Sequence, residues 1–227
     1  MNIELPTEDN PVTVIEGDCL YVLRSLPDGC VDAVITDPPY GVALTSHGTK
    51  FRAMKPIAGD ESQEVGQWAI DHLFGRGVPV CAFADPLKPW RGDWRQALAW
   101  DKGGAVGIGG DRATCWKRSW EMVQVSRLFG ALNGSRDEAV LSFPMMPADS
   151  AQHPAAKSLG LMRYLVKKLT QPGDLILDPF AGSGTTGVAA ALEGRRCILI
   201  EREPACAQIC RERVKKVLSV GMFADVM

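Results

Sequence analysis

The chain has 227 residues, 46% hydrophobic, with 27 acidic and 25 basic side chains and a net charge of −2. That length suits one α/β core and leaves little room for a second large domain. The near-zero mean hydropathy is that of an ordinary globular protein, and no run of eighteen uncharged apolar residues could serve as a membrane span.

The N-terminal MNIELPTEDNP is acidic and lacks an apolar run, so no signal peptide is expected. The seven cysteines show no C-x-x-C pair, which predicts reduced thiols and a cytoplasmic protein. Cys206 and Cys210 fall four apart on an expected helix, a spacing read as buried small side chains rather than metal ligands. Charge is uneven. Residues 1–40 carry eight acidic side chains and one basic, whereas residues 41–136 carry thirteen basic and nine acidic. The middle of the chain is therefore the natural place for a phosphate backbone.

In chain order, residues 12–16 form a β-rich run and residues 19–26 a short helix stopped by Pro27-Asp28-Gly29. Residues 31–36 (VDAVIT) are nearly all apolar, as expected of a strand buried on both faces of a parallel sheet. Asp37-Pro38-Pro39-Tyr40 ends that strand, because two prolines cannot continue a central strand. Residues 41–62 read as a long loop, of a length that is often functional. A helix over 65–74 and a strand over 78–84 follow. The composition then predicts a helix over 90–97, a strand over 98–100 and a glycine-rich stretch at 103–110. Residues 120–125 and 138–143 read as strands of a hairpin turning near Asn133-Gly134.

Residues 157–169 have the spacing of an amphipathic helix. A strand over 175–177 ends at Asp178, a glycine-rich turn spans 179–185, and a helix over 186–193 stops at Gly194. A strand over 197–200 ends at Glu201, and a last helix covers 204–217, with fraying expected after Ser219. Alternating strands and helices imply a doubly wound α/β domain.

Two motifs carry the chemistry. In the first, Asp178-Pro179-Phe180-Ala181-Gly182-Ser183-Gly184-Thr185-Thr186 joins a strand to a helix, and Glu201 ends the next strand. Glycines at 182 and 184 allow close backbone approach to a ligand, and an acid at the end of the next strand can accept from both hydroxyls of a ribose. Asp178 would repel a pyrophosphate, which disfavours a nicotinamide cofactor, but it suits a ligand's amino group. The P-loop pattern is absent. The second motif is Asp37-Pro38-Pro39-Tyr40. An aromatic amine is a poor nucleophile because its lone pair is delocalised. A carboxylate and a carbonyl accepting its N–H groups turn that lone pair toward a methyl donor, prolines fix the carbonyl, and Tyr40 offers a ring face to an extruded base.

Together these motifs resemble the amino-methyltransferase family of DNA, in the β-class order with the catalytic motif first and the cofactor motif last. Glu16-Gly17-Asp18-Cys19 resembles the family's early segment near the cofactor adenine. His153-Pro154-Ala155-Ala156-Lys157 resembles an H-P-x-x-K element that helps hold the methionine end. Trp100-Asp101-Lys102 and Trp116-Lys117-Arg118-Ser119-Trp120-Glu121 resemble weaker motifs, with Trp120-Glu121 where the family usually shows H-E.

The resemblance implies a Rossmann-like α/β fold, a seven-stranded mostly parallel sheet with one antiparallel strand and helices on both faces. It also implies a single methyltransferase domain over 1–227, with a catalytic half near 12–126, a short recognition insert near 127–152 and a cofactor half near 153–217. S-adenosyl-L-methionine would be the cofactor and double-stranded DNA the partner, with a homodimer left open. The implied catalytic residues are Asp37, Pro38, Pro39 and Tyr40. The implied cofactor residues are Asp18, Cys19, Lys157, Asp178, Phe180, Gly182, Ser183, Gly184, Thr185 and Glu201, with His153 a weaker candidate. Lys50, Arg52 and Lys55 are the candidate DNA contacts, and no metal is expected.

The expected reaction is methylation of N6 of adenine, since Ser is commoner than Asp at position 37 in cytosine enzymes. N4 of cytosine is the alternative, and a catalytically silent nucleic-acid-binding subunit is the non-enzymatic one. Restriction-modification, phage self-protection and stand-alone regulation all fit such a chain.

Overall fold

The computed structural model describes residues 3–40, 62–103, 119–144 and 157–224, with side chains to residue 219. Among them, eight strands form one sheet in the order β1-β8-β7-β2-β3-β5-β4-β6. The strands are β1 (Val12–Glu16), β2 (Ala33–Thr36), β3 (Val80–Ala84), β4 (Trp94–Asp101), β5 (Trp120–Ser126), β6 (Val140–Ser142), β7 (Leu175–Asp178) and β8 (Arg196–Glu201). Only β5 runs against the rest, pairing antiparallel with both β3 and β4. The sheet is thus mixed and mostly parallel, with one more strand than expected.

The helices are α1 (Cys19–Ser25), α2 (Glu64–Gly75), α3 (Leu159–Leu169), α4 (Thr185–Leu192) and α5 (Pro204–Ala224). Successive side chains of a strand point to opposite faces, and here both faces are covered. Ala33, Ile35, Cys81, Phe83, Ile176, Cys197 and Leu199 pack with residues of α3, α4 and α5. Their strand neighbours Val34, Val80, Ala82, Leu175, Leu177, Ile198 and Ile200 pack with residues of α1 and α2. That two-sided burial is why the central strands read as unbroken apolar runs. No helix among the described residues is long and apolar enough to cross a membrane.

Two sequence expectations are corrected. Residues 94–97 are not helical but begin β4, whose register with β5 runs from Trp94↔Ser126 to Asp101↔Trp120. Pairing along a whole strand overrides the helical preference of Arg95, Gln96, Ala97 and Leu98. The hairpin around Asn133-Gly134 does not form either. β6 pairs parallel with β4, and the Asn133 side chain donates to the carbonyls of Lys167 and Thr170, both at 2.8 Å.

Because β1, β8, β7, β2 and β3 are parallel, their carboxyl ends share one edge. Asp37 follows β2, and Asp178 and Glu201 close β7 and β8, so both motifs meet at that edge. In open α/β sheets, ligands bind outside the carboxyl ends of the strands.

Candidate active site

Asp37 leaves β2, all four residues of which are buried. The Tyr40 hydroxyl donates to Asp37 Oδ1. The Lys157 ammonium lies 2.8 Å from Asp37 Oδ2 and 2.7 Å from Glu121 Oε2. The Lys102 ammonium meets Glu121 Oε1 at 2.6 Å. Two carboxylates and two ammonium groups thus alternate in a half-buried chain. Three ring faces surround Lys157 Nζ, with centroids at 4.8 Å (Phe83), 5.9 Å (Tyr40) and 5.9 Å (Trp100).

Burial pushes the Asp37 carboxyl above the usual carboxylate range, and the Lys157 charge opposes that rise without cancelling it. Tyr40 is raised by burial and then by the Asp37 charge. Burial would also raise Glu121, but Lys157 and Lys102 outweigh it and hold the group down at about 2. Lys157 is raised because Asp37 and Glu121 together overcome the desolvation that favours its neutral form.

Packing sets the Tyr40 ring. Trp90 lies 6.2 Å from it between centroids, and Trp90 Nε1 donates to the Phe83 carbonyl at 2.6 Å. The buried Gln124 side chain accepts from the Trp90 amide and donates to its carbonyl. A Cβ on Gly66 would come within 2.7 Å of the Trp90 ring and 3.0 Å of Pro38. Glycine there lets α2 press directly against the Asp37–Tyr40 segment.

The glycine loop starts on the neighbouring strand. Asp178, 3% exposed, accepts from the Thr36 hydroxyl (2.7 Å), the Thr186 hydroxyl (2.6 Å) and the Phe180 amide (3.1 Å). Burial raises its carboxyl to about 6 despite these donors. The Thr36–Asp178 bond ties the two motifs together across 142 positions of sequence. The oxygens expected to meet a ligand's amino group already accept from the chain's own donors.

Glu201 accepts from the Gly182 amide and the Glu203 amide, both at 2.8 Å, and burial raises its carboxyl. Gly182 has φ +53 and no heavy atom within 4 Å of a built Cβ, so it faces open space. Gly184 is different. Its φ is +78, and a Cβ there would lie 3.0 Å from Cys210 Sγ and 3.2 Å from Cys210 Cα. Close approach to α5, rather than to a ligand, demands glycine at 184. The hydroxyls of Ser183 and Thr185 both accept from Arg213 of α5, at 2.8 and 3.1 Å. Asp18 caps α1 by accepting from the Leu20 amide at 2.8 Å. Its neighbour Gly17 donates to the Glu201 carbonyl at 2.9 Å. Cys19 is buried and Phe180 half-buried.

Asp37, Pro38, Pro39 and Tyr40 therefore share an edge with Asp178, Phe180, Gly182, Ser183, Gly184, Thr185 and Glu201, and with Asp18 and Cys19 beyond β8. Lys157 joins them through its ion pairs with Asp37 and Glu121. Lys50, Arg52, Lys55 and His153 lie outside the described residues, as do residues 41–61 and Trp116-Lys117-Arg118. Sequence reasoning missed Thr36, Lys102 as a partner of Glu121, and Arg213. Thr36 did leave a trace, as a hydroxyl ending an otherwise apolar buried strand. Cys210 is buried and its thiol donates to the Gly182 carbonyl at 3.1 Å. No group of three His, Cys, Asp or Glu among the described residues could hold a metal ion.

This edge offers carboxylate acceptors, a ring face beside them, and an open glycine loop with an acid across from it. Such a sheet carrying such a site defines an α/β protein of the methyltransferase fold. The PvuII DNA methyltransferase (cytosine-N4-specific) superimposes with a TM-score of 0.62 at 17% identity over 92% of each chain. The M1.HpyAVI–SAM complex does so with a TM-score of 0.63 at 21% identity, over 89% of this chain and 99% of that one. In sequence, the DNA methylase family matches residues 95–212. YubD of Escherichia coli (strain K12), a methylase by its name, is 31% identical over 194 residues, 82% of this chain and 83% of that protein. The chain belongs to the N6/N4 DNA methylase family.

Proposed function

We propose that this DNA methylase transfers a methyl group from S-adenosylmethionine to N6 of adenine in double-stranded DNA, with the target base turned out of the helix. The observation that carries the reading is the Thr36–Asp178 bond, which ties the strand end just before Asp37 to the strand end that opens the glycine loop.

The residues fit the cofactor. Gly182 faces open space beside the Glu201 carboxylate, where an acid can accept from ribose hydroxyls. When bound, the cofactor supplies a methyl group on a positively charged sulfur. The chain does the rest by position. Asp37 accepts an N–H of the exocyclic amine, which turns the nitrogen lone pair toward the methyl carbon. Tyr40, fixed by Trp90 and by its bond to Asp37, presents a ring face for the extruded base. Holding both partners in line supplies most of the acceleration; as the nitrogen–carbon bond formed and the carbon–sulfur bond broke, the amine would give up one proton to solvent and S-adenosylhomocysteine would leave. Asp18, Cys19 and Phe180 would flank the nucleoside, and Ser183, Gly184 and Thr185 shape the loop.

Adenine is favoured over cytosine by Asp at position 37. Double-stranded DNA is supported by family membership, and Lys50, Arg52 and Lys55 are its proposed contacts. The test is incubation of the protein with labelled S-adenosylmethionine and unmethylated DNA, followed by nucleoside analysis. Label in N6-methyladenine is expected. Label confined to N4-methylcytosine would move the assignment to cytosine, and cofactor binding without label would favour a silent subunit.

A further inference from the structure

The sheet decides which loops stand where DNA would meet the site. β5 runs antiparallel to β3 and β4, and Ser126 Oγ accepts from the amide of Val80, the first residue of β3, at 2.9 Å. The chain therefore leaves β5 at the amino edge of the sheet, opposite Asp37 and the glycine loop. Asn133 then donates to the carbonyls of Lys167 and Thr170, at the end of α3 that leads into β7. The Lys168 ammonium lies 2.8 Å from the Asp137 carboxylate. Residues 127–137, the start of the expected recognition insert, thus brace α3 away from the Asp37 edge.

The turn after β3 lies at the right edge. β3 is the neighbour of β2, with Thr36 level with Ala82, so Asp37–Tyr40 and Asp85–Lys88 leave adjacent strands side by side. The Asp85 charge reaches the Tyr40 hydroxyl. At the tip, Leu87 is 81% exposed, the highest value for a large apolar side chain among the described residues. A single exposed leucine is ordinary, but this one is rigidly held. Its amide donates to Asp85 Oδ1 at 2.8 Å, and the Lys88 amide donates to the Asp85 carbonyl at 2.9 Å. The Lys88 carbonyl accepts from the Gln63 side chain at 2.9 Å. Pro86 and Pro89 restrict the backbone on either side. Beyond them, Gln124 clamps the Trp90 backbone and Gln67 that of Arg91. Lys88 is exposed, and its ammonium has no carboxylate partner among the described residues.

We propose that the Asp85–Lys88 turn is a DNA-contacting element, in which Leu87 wedges into the base stack beside the target and Lys88 meets a backbone phosphate. This rests on the reading that the target base is turned out of the helix. Turning a base out leaves a gap in the stack. Apolar side chains such as leucine enter opened steps and hold them apart, and a tip already fixed loses little freedom in doing so. The same clamped segment ends in Trp90, whose ring lies 6.2 Å from that of Tyr40. The wedge and the ring that receives the base are therefore joined by a short, held stretch of chain. An exposed ammonium beside the wedge adds affinity that does not depend on sequence.

The experiment uses the full chain and its Leu87→Ala, Lys88→Gln and Leu128→Ala variants. Sequencing of DNA modified by the wild type supplies the target site. Single-turnover transfer at saturating cofactor is then measured on a matched duplex of that site, and on one with an abasic position opposite the target, where opening costs less. Leu87→Ala should slow transfer to the matched duplex about tenfold, and to the abasic duplex by no more than about twofold. Leu128, 43% exposed just past β5 at the amino edge, is the control, and Leu128→Ala should match wild type on both. A Leu87→Ala rate equal to that of wild type on the matched duplex, an equal loss on the abasic duplex, or an equal loss in Leu128→Ala would overturn the wedge. Lys88→Gln is read by the Kd for a duplex of arbitrary sequence from about 50 to 200 mM salt, where the slope of log Kd against log salt should fall by about one. An unchanged slope would overturn the phosphate contact. If the wild type binds duplex but transfers no methyl group, the base-turning reading fails and the wedge with it. The Lys88→Gln slope needs no transfer and still decides whether this turn touches DNA.

Discussion

The glycine-loop unit and the proposed catalytic cluster around Asp37 lie on neighbouring strands but are built in opposite ways. The loop unit is local. Asp178, Gly182, Thr186 and Glu201 fall within 175–201, and their bonds run mostly among themselves. The Asp37 cluster is assembled from the ends of β2 and β4, from β5 and from Lys157, two residues before α3. A local unit can be recognised as a motif, whereas an assembled one exists only once strand order is fixed. The loop unit satisfies its polar groups without a ligand, while the cluster balances buried charges against one another. Substitutions in the first should thus act on stability and cofactor affinity, and those in the second on rate.

The largest expected effect is on rate. Asp37→Ala should reduce methyl transfer by about 10²–10³-fold, the scale seen when one group that orients charge in a transition state is removed. Cofactor affinity, read by calorimetry on the same preparation, should stay within a few-fold. Parallel loss of both would erase the contrast between the regions.

Asp178 tests the loop unit through pH. Its carboxyl titrates near 6 in the fold and near 3.9 in an unfolded chain. The folded protein therefore holds the proton more tightly. The stabilisation from that proton is full below the unfolded value and is lost as pH rises through about 6. In Asp178→Asn, the loss of stability between pH 4 and 6 should shrink by on the order of 2–3 kcal/mol relative to wild type. Urea unfolding across that range checks it, and parallel curves would show that Asp178 does not titrate there.

Gly184 and Gly182 sharpen the contrast within the loop. Gly184→Ala meets Cys210 and a positive φ at once and should destabilise by about 2–3 kcal/mol. Gly182→Ala has only the φ to contend with and should cost about 1 kcal/mol. Equal losses in denaturant titrations would mean that α5 packing is not what demands glycine at 184. Glu201→Ala should leave stability nearly unchanged and weaken cofactor affinity by about 1 kcal/mol through lost hydroxyl hydrogen bonds. Its rate at saturating cofactor should stay near that of wild type.

The same contrast explains what could be read from the sequence. The central strands, the glycine loop and the last two helices were legible because each is marked by a continuous local pattern. The first half of β4 reads as a helix because Arg95, Gln96 and Ala97 favour helix until β5 is there to pair with, whereas residues 98–100 do read as strand. The false hairpin has the same cause, since β6 pairs with a strand about forty residues earlier. In the site, Asp37, Tyr40, Asp178 and Glu201 could be named from their motifs. Thr36, the Glu121–Lys102 pair and the Arg213 bonds to Ser183 and Thr185 could not, because each depends on a contact between distant segments. Lys157 could be named from its motif as well, but its ion pairs with Asp37 and Glu121 could not, since they join distant segments.

The most direct test of the whole account is base analysis of DNA from a methylation-deficient host expressing the chain or its Asp37→Ala variant. The account predicts N6-methyladenine in DNA from cells with the wild-type chain and a far lower level with the variant. DNA without a new methylated base in either case, from cells holding folded, cofactor-binding protein, would contradict it.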